Sequence, residues 1–196
     1  YQCSSAVLSK VLSFDLIRLL RTPATIFNND ATACYDRIIP FLSLLCCQHF
    51  GLSSKASDFM LNFLRSAEYH IRTCYGISNE FYSNYTKAIF GVLQGSGSAP
   101  SIWLAMSIIL IKSYKKKFDN SSIPKPTKNI NLQKIIDAFV DDSDLWDIIP
   151  NQITTEELME RLEIRAQHWE KLLHSAGGKL NFDKCFWYVI QWHWDE

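Results

Sequence analysis

The stretch Phe139-Val140-Asp141-Asp142 follows the largely apolar segment Ile135-Ile136-Asp137-Ala138 and places two adjacent carboxylates at the end of a predicted strand. Two neighbouring acidic side chains repel each other, and a bound divalent cation relieves that repulsion. The pattern therefore predicts a Mg²⁺ site here. It also predicts a hairpin of the strands Leu132 to Val140 and Asp144 to Ile149, with the acids in its tight turn.

A second acidic site lies far upstream, where Asp30 follows the short predicted strand Ala24 to Asn28. Nucleotidyl transfer uses two divalent ions about 4 Å apart, which are held by carboxylates from elements that converge in space. Asp30 and Asp141 meet this need if their strands are neighbours in one sheet. From the residues alone, two unrelated surface aspartates remain the alternative.

Composition limits the other function classes. With 196 residues, of which 47% are apolar, the chain has enough material for one substantial core, and we expect a single domain. Twenty basic and twenty acidic residues cancel, so the excess of positive charge typical of an independent nucleic-acid binder is missing. Any such binding depends on local patches. The best candidate patch, which alternatively only solvates a helix end, consists of Lys112, Lys115, Lys116, Lys117, Lys125 and Lys128.

The six cysteines show no C-x-x-C pair, which argues against a zinc ribbon or a secreted disulfide framework. This usage predicts an intracellular protein, without distinguishing nucleus from cytoplasm. The longest mainly apolar run, Ile102 to Ile111, is too short to span a bilayer, so no membrane partner is expected. Both chain ends suggest a fragment of a longer polypeptide.

Hydrophobic periodicity and turn signals predict alternating helices and strands, which favours the α+β class. Thr154-x-x-Glu157 is a capping-box pattern that opens a helix ending at Gly177-Gly178. The apolar stripe of that helix is predicted at Leu158, Leu162, Ala166, Trp169 and Leu173. The other predicted elements are helices at Ser5 to Leu20, Ile38 to Phe50, Ser57 to Ser66 and Pro100 to about Lys116, a hairpin of Tyr69 to Tyr75 and Tyr82 to Phe90, a loop at Asp119 to Asn131, and one or two strands within Leu180 to Trp194.

Four ordered motifs resemble the palm of a reverse transcriptase. Asp30 with Tyr35 and Asp36 is similar to the first palm motif, and Phe139-Val140-Asp141-Asp142 is similar to the aromatic-x-Asp-Asp motif. Gly177-Gly178-Lys179-Leu180-Asn181-x-x-Lys184 resembles the segment in which an Asn and a Lys follow a glycine turn. The match is most like retroelements that lack long terminal repeats, and it covers nearly the whole chain.

The motif between the two acidic sites departs from the family pattern. Gly91-Val92-Leu93-Gln94-Gly95 with Ala99-Pro100 is similar to a Pro-Gln-Gly followed by Ser-Pro. Leu93 replaces the proline and Ala99 replaces the serine, while the Gln-Gly core is kept. The resemblance therefore predicts the presence of this loop but not its conformation.

The resemblance implies an α+β fold: a polymerase palm with a ferredoxin-like antiparallel sheet packed on helices, part of the fingers and no thumb. Residues 1–196 would form one reverse transcriptase domain fragment. The partial fingers would comprise 1–23 and about 68–90, and the palm 24–67 and 91–196.

The resemblance also implies roles for individual residues. Asp30 and Asp141 would be the principal ligands of two Mg²⁺ ions, or of Mn²⁺, with Asp142 assisting. Lys184 would approach the triphosphate and protonate the leaving pyrophosphate, although an exposed strand lysine is an equally good interpretation. Tyr35 would lie beneath the sugar of the incoming nucleotide and exclude a 2′-hydroxyl, unless it is simply a core tyrosine.

The Gln94-Gly95 pair would contact the nascent base pair or the template backbone, because glycine permits a close approach. Asp36 and Arg37 are expected to orient the start of a helix rather than to take part in the chemistry.

The implied activity is RNA-directed DNA polymerisation, in which deoxynucleotides are added to a primer by two-metal-ion transfer. The implied partners are an RNA template, a DNA primer, deoxynucleoside triphosphates and the rest of a retroelement polyprotein. In isolation we expect weak or no activity, because substrate positioning supplies much of the rate. Two alternatives are an inactive retroelement remnant that serves as a binding module and the palm of an RNA-directed RNA polymerase.

Overall fold

The computed structural model describes residues 2–83, 91–118, 122–123, 132–149 and 153–192. They form two compact units. The first takes its residues from 1–32, 110–175 and 179–196, and the second from 33–109 and 176–178. Among the helices of the described part, none has the length and apolar character needed to cross a membrane.

The elements of the described residues alternate between helix and strand along the chain. The helices are α1 (Gln2–Leu19), α2 (Cys34–Arg37), α3 (Pro40–His49), α4 (Ser54–Ser66), α5 (Ala99–Lys117) and α6 (Thr155–Ser175), with a 3-10 turn at Phe182–Lys184. The strands are β1 (Ala24–Asp30), β2 (Glu68–Thr73), β3 (Gly76–Ser83), β4 (Ser122–Ile123), β5 (Leu132–Gln133), β6 (Ile136–Phe139), β7 (Asp142–Ile148) and β8 (Phe186–Ile190). The predicted α+β class is confirmed.

The first unit is built on a four-stranded antiparallel sheet in the order β6-β7-β1-β8. Strand β1 lies between β7 and β8, although these strands come from distant parts of the sequence. The central pair, β1 and β7, consists mostly of buried residues. This arrangement confirms that the two acidic sites lie on neighbouring strands.

Helix α1 covers one face of this sheet. Ile17 packs with Ala24, Ile26, Trp146 and Ile148 in a buried cluster on that face. The ring of Phe14 meets Trp146 edge to face, with the centroids 5.3 Å apart. Cross-strand partners in an antiparallel pair lie on the same face, and so does every second residue along each strand. These two rules identify all the strand residues on the α1 face.

Helix α6 belongs to the opposite face, and it begins with the predicted capping box. The Thr154 hydroxyl accepts a hydrogen bond from the Glu157 N–H, while the Glu157 carboxylate accepts one from the Thr154 N–H, both at 3.2 Å. The apolar stripe is confirmed except at Ala166, which is only half-buried. Arg165 is buried instead, because its guanidinium pairs with the buried carboxylate of Asp147 at 2.7 Å.

The second unit contains α2, α3, α4 and the β2–β3 hairpin. Helix α4 begins at a Ser53 cap, whose hydroxyl accepts a hydrogen bond from the Ala56 N–H at 3.2 Å. The hairpin is confirmed, but its turn is Cys74-Tyr75, because β3 already begins at Gly76, which the prediction had placed between the two strands. Residues 84–90 of the predicted second strand lie outside the described residues.

Two other predicted boundaries shift. Leu132 and Gln133 do not belong to the acid-bearing hairpin, because they pair with Ser122 and Ile123 inside the stretch predicted as a loop. Most of that stretch lies outside the described residues. The last predicted strand region has the 3-10 turn first, so that only Phe186–Ile190 is a strand.

Candidate active site

Asp30 and Asp142 lie opposite each other where β1 ends and β7 begins. They are partners in the strand register, and the Ala31 N–H donates to the Asp141 carbonyl oxygen at 3.1 Å. Opposed residues of an antiparallel pair direct their side chains to the same face, with Cβ atoms about 5 Å apart. The sheet thus brings together Asp30, Asp141 and Asp142, which come from two distant segments.

The turn that presents Asp141 is shorter than expected. Phe139 still pairs with Asp142, so the loop contains only Val140 and Asp141, and the prediction that Asp142 and Ser143 belong to it is wrong. Two-residue hairpin loops need a positive φ, and Val140 supplies it at 56°. A β-branched residue rarely adopts this conformation, at a cost of about 1–3 kcal/mol. The pairing on both sides of the turn holds it there.

The carboxylates repel one another. Although Asp142 is largely exposed, partial desolvation raises its pKa above the ordinary value, and the charges of Asp141 and Asp30 raise it further. Lys184 acts in the opposite direction and only partly compensates. A raised aspartate pKa means that the ionised form of Asp142 is disfavoured in this environment.

The segment that follows the glycine turn positions Lys184 beside these acids. The Asn181 N–H donates to the Asp30 carbonyl oxygen at 2.9 Å, and Leu180 forms a β-bridge with Ala31. The 3-10 turn then brings the Lys184 ammonium to 3.5 Å from the Asp30 carboxylate. The Lys184 side chain is 65% exposed, whereas that of Asp30 is 13% exposed. The ammonium is therefore accessible to a solute beside the acids.

The three acids carry the type of donor atom that Mg²⁺ uses. Mg²⁺ prefers oxygen ligands and is commonly held by one or two carboxylates, with water and substrate phosphates completing its shell. Asp30, Asp141 and Asp142 offer such oxygens, and their mutual repulsion is what a cation would relieve. Within the described ranges, however, no three or more His, Cys, Asp or Glu side chains form a group that could hold a metal ion, so that water and substrate phosphates would have to supply further ligands.

A further acid on the same face was missed by the sequence analysis. The Asp144 carboxylate accepts hydrogen bonds from the Asn28 amide and the Lys10 ammonium, both at 2.7 Å. The available signal was the alternation of Asn28 with Asp30 and of Asp142 with Asp144, since alternate strand residues share a face. No sequence pattern indicated that Lys10 of α1 would pair with Asp144, because more than 100 residues separate the two.

The opposite face holds the strands in register directly beneath the acids. Asn29 is fully buried, and its side-chain oxygen accepts hydrogen bonds from the Ser143 hydroxyl at 2.8 Å and the Trp169 indole at 2.9 Å. Its amide donates to the Ser143 carbonyl oxygen at 3.0 Å. Because Asn29 precedes Asp30 and Ser143 follows Asp142, this network fixes the backbone that carries both acids.

The predicted substrate-binding residues belong to the second unit. The half-buried Tyr35 lies in α2, and its carbonyl oxygen accepts a hydrogen bond from the Val92 N–H at 2.7 Å. Gln94 and Gly95 are exposed in the Gly-rich loop. Leu93 has a φ of 67°, which proline cannot adopt, so the loop cannot have the conformation that the family's proline would impose.

Asp36 anchors the Gly-rich loop. Its carboxylate accepts a hydrogen bond from the Gln94 N–H at 3.1 Å. Gly91 packs so closely that an added Cβ would lie 2.6 Å from the Asp36 Cα, and its φ is 97°. Only glycine fits there. The role of Asp36 is thus wider than the helix orientation that the sequence suggested.

Comparison with known proteins identifies solved structures with a similar fold. No model of a known protein family matches the chain, and neither does any curated protein. Among solved structures, the chain is similar to apo telomerase from Candida tropicalis truncated from its C-terminal domain, at 13% identity and a TM-score of 0.60, over 100% of this chain and 36% of that one.

Two other similar structures are telomerases in complex with the TWJ fragment of telomeric RNA. The one from Candida tropicalis has a TM-score of 0.59 at 12% identity, over 95% of this chain and 29% of that one. The one from Candida albicans has a TM-score of 0.56 at 14% identity, over 97% and 31%. Telomerase is a reverse transcriptase, so the chain has a reverse-transcriptase-like fold with a palm-like antiparallel sheet. It spans about a third of the length of these telomerase chains.

Proposed function

We propose that the chain is the palm, with part of the fingers, of an RNA-directed DNA polymerase encoded by a retroelement that lacks long terminal repeats. The observation that carries this proposal is the pairing of Asp30 with Asp142 at the ends of two neighbouring strands, with Asp141 in the adjoining turn. The reaction is the addition of deoxynucleotides to a primer on an RNA template. The reverse-transcriptase-like fold supports it.

The metal ligands in this proposal are Asp30 and Asp141, with Asp142 assisting. The chemistry that bound Mg²⁺ or Mn²⁺ supplies is activation of the primer 3′-hydroxyl and stabilisation of the leaving pyrophosphate. The chain's own contribution is to hold the carboxylates at a fixed separation. The buried Asn29 network beneath them is well suited to that task, because it leaves β1 and β7 little freedom to slip.

Lys184 is the proposed contact to the triphosphate and the proton donor to the pyrophosphate. Its ammonium pairs with Asp30 at 3.5 Å, a distance at which the ion pair is loose, and most of the side chain is exposed. An ammonium in this position is attracted to a polyphosphate more strongly than to a single carboxylate. Lys184→Met should therefore raise the KM for the nucleotide and lower kcat. Unchanged kinetics in this variant would contradict the proposed role of Lys184.

Tyr35 is the proposed gate against ribonucleotides, with Gln94 and Gly95 contacting the base pair or template. The exposure of the loop residues is compatible with such contacts. If the tyrosine ring excludes a 2′-hydroxyl, Tyr35→Val increases ribonucleotide incorporation relative to deoxynucleotide incorporation. Competition between the two nucleotides during primer extension measures this ratio, and an unchanged ratio contradicts the gate.

The proposed partners are an RNA template, a DNA primer, deoxynucleoside triphosphates and the remainder of a retroelement polyprotein. Two of the similar telomerase structures contain RNA, which supports nucleic-acid binding. The process would take place inside the cell, where template and nucleotides are found.

Primer extension with the full-length protein tests the proposal. Asp141→Ala removes a proposed metal ligand, and several kcal/mol of lost transition-state stabilisation correspond to a fall in kcat of about a thousandfold. The matched control is Asp58→Asn, which removes an exposed carboxylate in α4 and should extend like the parent.

The same assay separates the alternatives. A parent protein that binds RNA but extends no faster than Asp141→Ala would be the inactive binding module. Faster extension with ribonucleotides than with deoxynucleotides would instead identify an RNA-directed RNA polymerase.

A further inference from the structure

The C-terminal end of α5 carries lysines that the proposed polymerase chemistry does not use. Four members of the predicted lysine patch are exposed there: Lys112, Lys115, Lys116 and Lys117. The other two, Lys125 and Lys128, lie outside the described residues. Lysines in the last turn of a helix stabilise it through the helix dipole, whatever else they do. Their position at this helix end is therefore not evidence of a binding site by itself.

Helix α6 brings further positive charge to the same place. The Lys117 ammonium lies 3.3 Å from Nδ1 of His168, in the second half of α6. Lys171 is exposed one turn further along α6. Partial burial lowers the pKa of His168, and the charges of Lys117 and Lys171 lower it further. The helix dipole accounts for cations at each helix end, but not for the meeting of like charges from two helices.

A cluster of rings fixes the contact between the two helices. Tyr114 of α5 is fully buried, and its ring meets Trp169 of α6 edge to face, with the centroids 5.7 Å apart. The half-buried Phe118 packs against Tyr114 at 4.9 Å and against His168 at 5.4 Å between centroids. The backbone that carries the lysines is thus already ordered, so a ligand would not have to order it on binding.

The positive charge at this contact has no acidic counterpart nearby. We use the name α5–α6 basic surface for Lys115, Lys116, Lys117, His168 and Lys171. In the described part of the chain, none of its four lysines forms an ion pair with a carboxylate. The second half of α6 contains one acid, Glu170, whose charge acts on Cys185. The local potential is therefore positive, although the chain as a whole is neutral.

The side chains around this surface favour a nucleic acid over a protein as the anionic partner. Protein interfaces are built on apolar and aromatic cores, in which lysine is depleted. Between residues 110 and 118 no large apolar side chain is exposed, and in α6 the exposed one is Ile164, at 47%. Lysine ammonium groups are point charges that neutralise phosphates without a fixed geometry. Several of them together suit a polymer with one charge per nucleotide.

We propose that the α5–α6 basic surface binds the phosphate backbone of the template RNA outside the catalytic centre. This inference rests on the proposed function, which supplies the RNA partner. Trp169 of α6 bonds to Asn29 on the sheet face opposite to Asp30, so RNA on this surface does not compete with the primer for the acids. The lysines hold the RNA without reading its sequence.

The salt dependence of RNA binding tests this proposal. Fluorescence anisotropy of the full-length protein with a labelled stem-loop RNA, in EDTA and without primer, gives the Kd at several salt concentrations. Lys117→Gln with Lys171→Gln removes two proposed phosphate contacts. Because each such contact contributes about 1 to the slope of log Kd against log salt concentration, we expect the slope to fall by about 2. At about 0.1 M salt the Kd should rise roughly tenfold.

The matched control is Lys55→Gln with Arg65→Gln, which removes two exposed cations from α4. It should leave the slope unchanged and the Kd within about twofold of the parent's. An unchanged slope in the Lys117 and Lys171 variant, or an equal fall in the control, would overturn the RNA surface. Polyglutamate that binds through the same lysines more tightly than the RNA would identify an acidic protein segment as the partner instead.

Lysine footprinting of the unmodified protein gives a second measurement, which does not depend on how a variant folds. The protein is acetylated with and without the RNA, and the modified lysines are identified by mass spectrometry. We expect the RNA to protect Lys117 and Lys171, while Lys55 reacts as it does in the free protein. Equal protection of Lys55, or no protection of Lys117 and Lys171, would contradict the proposed surface.

Failure of the proposed function gives a different result. A parent protein that binds RNA through these lysines but does not extend a primer contradicts the polymerase assignment and leaves the RNA surface supported. The reverse result, extension by the parent with an RNA affinity that the Lys117 and Lys171 variant does not change, contradicts only the RNA surface.

Discussion

Strand β7 carries acids on both faces of one sheet, and the two faces treat them in opposite ways. On the α6 face, the Asp147 side chain is 1% exposed and pairs with Arg161 and Arg165, each at 2.7 Å. On the α1 face, Asp142 is exposed, and its principal charged neighbours are Asp141 and Asp30. The protein neutralises one carboxylate completely and adds negative charge around the other.

This difference separates an acid with a structural role, Asp147, from the acids that we propose to be functional. A buried carboxylate is tolerated only when cations and hydrogen bonds compensate for its lost hydration, as at Asp147. Acids that lie together at a solvent-accessible edge repel one another and lower the stability of the protein, and the metal ion that we propose here would relieve that repulsion. Asp144 is intermediate, since one lysine and one asparagine amide satisfy it.

Removing Asp147 should give the largest effect on stability. Asp147→Ala leaves the buried guanidinium of Arg165 without its carboxylate partner, and breaking a buried ion pair typically costs about 3–5 kcal/mol. We expect the free energy of unfolding, measured by urea denaturation, to fall by this amount.

Arg161→Ala is the matched control for this prediction. Its side chain is 42% exposed, and Asp147 keeps Arg165 as a partner when it is lost. The expected loss is about 1 kcal/mol or less. Equal losses for the two variants would show that Asp147 does not depend on the buried arginine.

In the absence of metal, Asp142→Asn should not lower the free energy of unfolding, in contrast to Asp147→Ala. It removes a charge that its neighbours disfavour, so in EDTA the variant should be no less stable than the parent. Added Mg²⁺ should then reverse the order. A ligand at ten times its Kd stabilises the folded state by about 1.4 kcal/mol, and the variant should gain less of this than the parent. Thermal unfolding with and without Mg²⁺ measures both effects.

The pH dependence of stability in the parent and in Asp142→Asn tests the sign of their stability difference independently. Because the folded state raises the pKa of Asp142, the parent's stability is greatest when this group is protonated and falls as the pH rises through its folded-state pKa. In EDTA, the stability difference between parent and Asp142→Asn should therefore shift in favour of the variant as the pH rises. A shift in favour of the parent would show that Asp142 is stabilised as an anion.

The sequence could predict the structural features that depend on local patterns. The capping box at Thr154 and Glu157 formed as its spacing indicates, because the two residues lie within one helical turn. The pairing of the acid-bearing strands was a condition of the metal hypothesis, which the residues alone left open and the resemblance to the reverse transcriptase palm favoured. The roles of Asp30, Asp141 and Lys184 stay predictions.

What the sequence could not predict depends on tertiary contacts. Val140 takes a positive φ that its side chain disfavours, so the turn lies one residue earlier than propensity suggests. Arg165 is buried where periodicity would place an apolar residue, because its partner Asp147 is on a strand 18 residues away. Leu93 adopts a conformation excluded for the proline of the resembling motif.

The smallest expected effect concerns the intermediate acid. Lys10→Met keeps most of the side-chain stem over the sheet but removes the ammonium from Asp144, and its expected cost is about 0.5–1 kcal/mol, because Lys10 is 35% exposed. Asp144→Asn in the same background should restore part of this loss, since it removes the carboxylate left without its cation. A double-mutant cycle by urea denaturation measures the coupling, and a value of zero would place Asp144 with the uncompensated acids such as Asp142. If that were so, Mg²⁺ should stabilise Lys10→Met more than it stabilises the parent, because an additional negative charge would then face the same end of the sheet.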